Sequence, residues 1–278
     1  ARLWGKRQPG GGKVEVFLLR PSGEDQWEVL VRPGRKIREG QEITFGAAGQ
    51  LRAVAGERTS FGGRIMYFNQ RGEALKALIK ELGEIPLPPY IKVPLRDHER
   101  YQTVYAREEG SVAAPTAGLH FTPELLAALE AHGVKTGYLT LHVGLGTFRP
   151  VKTETVEAHQ MHAEYYHLSA GLADEIAAVK AAGRRVIAVG TTSARTLESA
   201  AQDDGRVKPG AGWTDLFIYP GFQFRVIDGL VTNFHLPCST LLMLVSAFAG
   251  RELILSAYQE AVKARYRFFS FGDAMLII

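Results

Sequence analysis

The run from Ile85 to Pro94, IPLPPYIKVP, places four prolines in ten residues. Proline locks φ and lacks a backbone N–H, so such a run cannot form a central strand or a helix interior. It therefore divides the chain, and the expected domains are 1–85 and 86–278. Before the divide, Lys13–Arg20 (KVEVFLLR) and Trp27–Arg32 (WEVLVR) are β-rich, as are Ile43–Phe45, Leu51–Ala55 and Arg64–Phe68. Gly, Pro and Asp turns separate them, and the first residues also read as a strand. Short strands at this spacing predict a small barrel or sandwich. Glu73–Leu82 reads as a short helix.

Beyond the divide the pattern changes to alternating strands and helices. Thr122 is an N-cap with Pro123 at the first helical position, and that helix runs to Gly133. Lys135–Val143 reads as a strand. Ser169 caps a helix that stops at Gly183. Arg184–Val189 reads as a buried strand, and Thr191-Thr192-Ser193 opens the next helix. Ser239 caps Thr240–Ala249, Arg251–Arg265 is a further helix, and Ala274–Ile278 closes as a strand. The alternation predicts an α/β layer domain with a largely parallel sheet.

Composition narrows the function class. With 278 residues, 46% hydrophobic and 22% charged, the chain can bury a sizeable core and is not of disordered type. Lys plus Arg is 33 against 29 for Asp plus Glu, a net charge of +4 that permits a nucleic-acid partner without demanding one. A single cysteine, Cys238, excludes an intrachain disulfide and a cysteine-based metal site and fits a reducing cytoplasm. It precedes a helix N-terminus but has no evident base partner, so it reads as structural. The longest apolar run, Leu241–Ala249, is about half of what spans a bilayer. The opening ARLWGKRQPGGGK has no apolar core of a signal peptide. It also lacks an initiator Met, so a preceding segment is expected. Composition does not decide the oligomeric state; a monomer is the default expectation.

Four constellations can carry chemistry. In RRVIAVGTTSARTLES a strand ends at Gly190 and three hydroxyl residues, Thr191, Thr192 and Ser193, open a helix. Its free amides and dipole suit a carboxylate or phosphate, although no Walker loop is present, and ordinary capping accounts for the pattern equally well. His120 in PTAGLHFT and His142 in HVGLGTF lie among small residues that let a ligand approach the backbone. His120 precedes a helix start, which favours the neutral imidazole. Either ring can act as a base, or simply be a hydrogen-bonded structural histidine. His159, His162 and His167 with Glu157 and Glu164 match no standard metal spacing and read as a polar or substrate-facing segment. Lastly, WTDLFIYPGFQFRVIDGLVTNFHLPCSTLLM interleaves aromatics with Asp215, Arg225 and Asn233. Aromatic faces stack on nucleobases and Asp or Asn reads their edges, although core packing explains many such rings. Two basic runs, Arg32–Arg38 and Lys263–Arg267, suit phosphates or are solvated faces.

The segments PPYIKVPLRDHERYQTVYAREEGSVAAPTAGLHFTPELL, LHVGLGTFRPV, VGTTSARTLES, TDLFIYPGFQFRVIDGLVTNFHLPCSTLLMLVSAFAG and RYRFFSFGDAMLI together resemble the S-adenosylmethionine:tRNA ribosyltransferase-isomerases of queuosine biosynthesis. ARLWGK and KVEVFLLR resemble the same family. The resemblance implies an α/β fold with a small β-barrel domain inserted near the N-terminus, and a preceding segment that begins the α/β domain. It implies transfer and isomerisation of the ribosyl part of S-adenosylmethionine onto the aminomethyl group of 7-aminomethyl-7-deazaguanine in tRNA. Epoxyqueuosine-tRNA, adenine and methionine are the products, with S-adenosylmethionine as co-substrate and no metal or redox cofactor. Under it, His120 or His142 is the expected base. Arg107, Thr116, Gly144, Gly146, Thr147, Thr191, Thr192, Ser193, Arg195, Asp215, Tyr219, Asn233 and His235 are expected to bind substrate. Arg225, Arg265 and Arg267 are expected to meet tRNA. A non-catalytic tRNA-binding module is the alternative. An S-adenosylmethionine methyltransferase fits less well, since its glycine-rich loop after the first strand is not seen.

Overall fold

A computed structural model describes residues 1–59, 62–88, 90, 91, 95, 97–144, 155, 156, 159 and 161–278. These form two compact units, Ala1–His98 with Gly110–Ala113, and Glu99–Glu109 with Ala114–Ile278.

In the first unit β1 (Arg2–Gln8), β2 (Lys13–Pro21), β3 (Gln26–Arg32), β4 (Glu42–Phe45), β5 (Leu51–Arg58) and β6 (Arg64–Phe68) close into a barrel in the order β1-β2-β3-β6-β5-β4. Every neighbouring pair is antiparallel. The alternation in the sequence sets the inward face: Val14, Val16 and Leu18 of β2, Ile43 and Phe45 of β4, and Leu51, Ala53 and Ala55 of β5 are all buried. Large side chains such as Leu3 and Phe45 share this core with Ala53 and Ala55. Each fully buried Leu, Ile or Phe contributes roughly 1.5–3 kcal/mol. Helix α1 (Gly72–Leu82) adds Leu75 to the same core. Arg64 is buried, and the carbonyls of Gly56 and Ile37 accept its guanidinium N–H groups.

The second unit holds α2 (Pro123–Ala131), β7 (Thr140–His142), β8 (Glu164–Leu168), α3 (Ala170–Ala181), β9 (Ile187–Val189), α4 (Thr191–Ser199), β10 (Gly210–Thr214), β11 (Gly229–Asn233), α5 (Thr240–Ala249), α6 (Arg251–Lys263) and β12 (Ala274–Ile277). The expected caps form: Thr122, Ser169 and Ser239 each accept the N–H three residues on. No single helix among the described residues is long and apolar enough to cross a membrane.

The sheets correct the expected largely parallel arrangement. Among the described residues β10-β8-β7 is wholly antiparallel, and in β12-β11-β9 only β9 and β11 run parallel. The run Arg184–Val189 is shorter than expected, and β9 is an edge strand with Ile187 39% exposed. Pairing ends where Val186 N donates to the Asp228 carboxylate instead of a ladder carbonyl. The strand expected over Lys135–Val143 is confined to Thr140–His142, opposite Tyr165–His167 of β8. Strands β8, β10 and β11 carry little period-2 signal. In β10 Gly212 lies where a Cβ would crowd the Tyr166 ring, a constraint that exists only after the sheet has formed.

Candidate active site

Because β9 and β11 are parallel, their carboxyl ends share one edge, where open α/β sheets bind ligands. β9 leads through Gly190 into α4. Gly190 has φ +89°, a region costly for residues with a Cβ, and gives the helix no side-chain cap. Its amide donates to Val231 O at 2.8 Å, tying the turn to β11. The first amides of α4, those of Thr191, Thr192 and Ser193, have no intrahelical acceptor and carry the positive end of the dipole. Thr191 is buried, while Thr192 and Ser193 are half-buried.

The 3₁₀ turn Thr116–His120 lies against this edge. A Cβ on Gly190 would stand 3.7 Å from that of Ala117. Asn233, at the end of β11 and 5% exposed, connects the two pieces. Its Nδ2 donates to Thr116 Oγ1 at 2.8 Å, and its Oδ1 meets His120 Nε2 at 2.8 Å. With the amide so oriented, Nε2 carries a proton, and Nδ1 is the ring position that can offer a lone pair. The turn tolerates no bulk, since a Cβ on Gly118 would overlap the Tyr105 hydroxyl. Burial, with Tyr138 beside it, pushes that phenol up to about 12, so it remains a neutral hydroxyl. Leu119 and Phe121, flanking His120, line a cleft of about 230 Å³ with Arg100, Val104 and Phe271.

Asp273 precedes Ala274, the residue paired with Asn233. Its carboxylate accepts from Arg267 Nη2 at 2.9 Å and Arg267 N at 2.7 Å. These hydrogen bonds hold it below the usual carboxylate range, with the charge of His120 a smaller contribution. Arg267 is thus paired, with its side chain still 76% exposed.

His235, expected to contact substrate, is 8% exposed and turned to Thr232 Oγ1 at 2.9 Å, while its backbone N–H donates to Tyr258 Oη. Burial pushes its imidazole from 6.5 down to about 4. A depressed histidine leaves the folded protein with fewer protons than the unfolded chain between those values. Stability is therefore complete above pH ~6.5 and is lost as the pH falls toward 4, by about 3 kcal/mol in full. Urea unfolding between about pH 7.5 and 4.5 should show this slope in the wild type and lose most of it in His235→Gln. Identical slopes would remove His235 as the cause.

A second polar cluster underlies α4. Arg195 Nη1 meets Glu164 Oε2 at 2.7 Å, with side chains only 6% and 2% exposed. Arg195 Nε donates to Leu216 O, and Glu164 Oε1 accepts from Gly144 N. Arg195 Nη2 is buried with no hydrogen-bond partner among the described residues. His142 stacks on Tyr165, centroids 5.7 Å apart, and its Nδ1 is also buried with no partner among the described residues. On α4, Glu198 accepts the amides of Arg225, Val226 and Ile227, fixing the segment that leads to β11. Sequence reasoning passed over Asp273 and Glu198. It set Glu164 in a polar segment, although Glu164 stands in phase with the inward Tyr166 and Leu168.

The remaining expected residues are dispersed. Arg225 forms an exposed pair with Asp203, Arg107, Arg265 and Asp215 are exposed, and Tyr219 packs on Phe217. His159 meets Phe217 edge-on, and His167 is exposed on β8. Gly146, Thr147 and Glu157 lie outside the described residues.

Comparison with known proteins agrees with the sequence segments quoted above. The queuosine biosynthesis protein family matches residues 1–277. The S-adenosylmethionine:tRNA ribosyltransferase-isomerase of Halothermothrix orenii is 58% identical over all of this chain and 81% of its own length. Its namesake from Symbiobacterium thermophilum is 59% identical with the same coverage. The crystal structure of S-adenosylmethionine tRNA ribosyltransferase from Thermotoga maritima is 39% identical, with a TM-score of 0.50 over all of this chain and 78% of that one. With a family match over nearly every residue and relatives this similar over most of their length, the chain belongs to the queuosine biosynthesis family of S-adenosylmethionine:tRNA ribosyltransferase-isomerases.

Proposed function

We propose that this protein transfers and isomerises the ribosyl part of S-adenosylmethionine onto the aminomethyl group of 7-aminomethyl-7-deazaguanine in tRNA. The observation that carries the chemistry is the Thr116–Asn233–His120 chain at the carboxyl ends of β9 and β11. The reaction needs a base for a C5′ proton acidified by the neighbouring sulfonium. His120 Nδ1 is that base in this reading. Removing the proton gives an ylide, and adenine leaves as the ribose ring opens. The tRNA amine then attacks, and epoxide closure expels methionine. The amides of Thr191, Thr192 and Ser193 hold the methionine carboxylate. Arg107, Arg265 and Arg267 meet tRNA phosphate. No metal or redox centre enters the scheme.

The test is incubation with S-adenosylmethionine and tRNA bearing 7-aminomethyl-7-deazaguanine, with mass spectrometry of both fractions. Free adenine together with epoxyqueuosine in the tRNA is the expected result. Bound but unaltered tRNA, with no adenine, would replace this reading with a non-catalytic tRNA-binding module. S-adenosylhomocysteine in place of adenine would make it a methyltransferase.

A further inference from the structure

The sheet β10-β8-β7 has two unlike faces. Glu164, Tyr166 and Leu168 of β8 point inward, with Glu164 bound to Arg195 and Leu168 fully buried in the core. Residues of the other parity form the opposite face. In register these are Trp213, Tyr165 and His142 in one row and Ala211, His167 and Thr140 in the next. Trp213 meets Tyr165 edge-on with centroids 5.6 Å apart, and Tyr165 lies within 15° of parallel to His142 at 5.7 Å. Three rings thus cross three strands in a continuous row. Trp213 is 63% exposed, although a tryptophan ring is among the costliest apolar surfaces to leave in water.

From this row we propose that the outer face of β10-β8-β7 is a stacking platform for an unpaired nucleobase of the RNA substrate. The inference rests on the tRNA reading above. Charge favours this occupant. None of the six side chains of the face is acidic, two are imidazoles, and the whole chain carries +4. The nearest strand carboxylate, Glu164, is turned to the inner side and neutralised by Arg195. An RNA backbone therefore meets no fixed negative charge on these strands, and the rings offer π-faces to any base. An apolar protein partner would call for aliphatic bulk, which the face lacks. Trp213 lies outside the Thr116–Asn233–His120 chain, so its role is to position RNA rather than to touch reacting atoms.

The experiment uses the whole chain and an unmodified tRNA transcript. Affinity is measured across a salt series for wild type, Trp213→Ala and Trp213→Phe, with circular dichroism checking each fold. Trp213→Ala should weaken binding on the order of 10-fold, with the salt slope unchanged because no charge is lost. Trp213→Phe should recover most of that loss, since it restores a ring. Wild-type affinity in Trp213→Ala would overturn the platform while leaving the tRNA reading intact. No tRNA binding by the wild type would overturn both. A concentration-dependent dimer that Trp213→Ala abolishes, with tRNA affinity unchanged, would reassign the face to self-association.

Discussion

Replacing Arg195 by Met should lower the unfolding free energy by about 3–5 kcal/mol, because it removes the guanidinium that faces the Glu164 carboxylate at 2.7 Å in a site from which water is excluded. Glu164 is 2% exposed, and the Gly144 amide also donates to it. The loss corresponds to a fall in melting temperature of roughly 6–20 °C for a unit of this size. The pair itself need not be strongly stabilising. Two charges removed from water forfeit solvation that their attraction only partly offsets, and Arg195 Nη2 finds no acceptor among the described residues. The double variant Arg195→Met/Glu164→Leu should therefore recover most of the loss. Calorimetry of both single variants and the double variant decides the matter. A double variant as unstable as Arg195→Met would mean that the guanidinium acts through Leu216 and the packing of α4, not through the carboxylate. A single variant as stable as the wild type would mean that the charge is not buried in solution.

How far the sequence discloses this molecule follows from which interactions are local. The barrel strands were legible because alternation along β2, β4 and β5 fixes their inward faces within a few residues. The helix starts were legible for the same reason, since Thr122, Ser169 and Ser239 cap amides three positions on. The second unit was less open to reading. Its sheets join residues far apart, and a short strand such as GLVTN carries too few positions to show a period. The parallel order was assumed from alternating elements, yet the antiparallel partners β8 and β10 come from segments read as polar or aromatic, and β12, read as a strand, also pairs antiparallel. In the site, small residues around His120 pointed to a close backbone approach, which Gly118 and Tyr105 now explain. The partner of His120 was out of reach: Asn233 lies 113 positions away and was read as a base-contacting residue, whereas its amide is engaged by Thr116 and His120. His235 shows the opposite error. It was given the same role as Asn233, but it lies two positions on, beyond the end of β11, where the chain leaves the strand and the ring turns back to Thr232.

Replacing His120 by Ala should reduce the rate of adenine release at least ~100-fold, the loss expected when a positioned general base is removed. The KM for S-adenosylmethionine should change little, because the proposed carboxylate contacts belong to α4. His142→Ala serves as the comparison. Its ring stacks on Tyr165 and its Nδ1 is buried without a partner among the described residues, a poor arrangement for receiving a substrate proton. A larger loss in His142→Ala than in His120→Ala would exchange the two assignments. Asn233 provides the finer test. Its Oδ1 meets His120 Nε2, so in the proposed scheme it positions the base rather than touching substrate. Asn233→Ala should then lower kcat about tenfold through loss of ring orientation, again with KM nearly unchanged. Asn233→Asp keeps an acceptor for Nε2 and should retain more of kcat than Asn233→Ala, although it loses the donor to Thr116. A structural role for Asn233 predicts the reverse order, because a carboxylate buried at 5% exposure disturbs the fold more than a small apolar side chain. The ranking of Asp against Ala at this one position therefore separates a residue that orients the base from one that merely fills the end of β11.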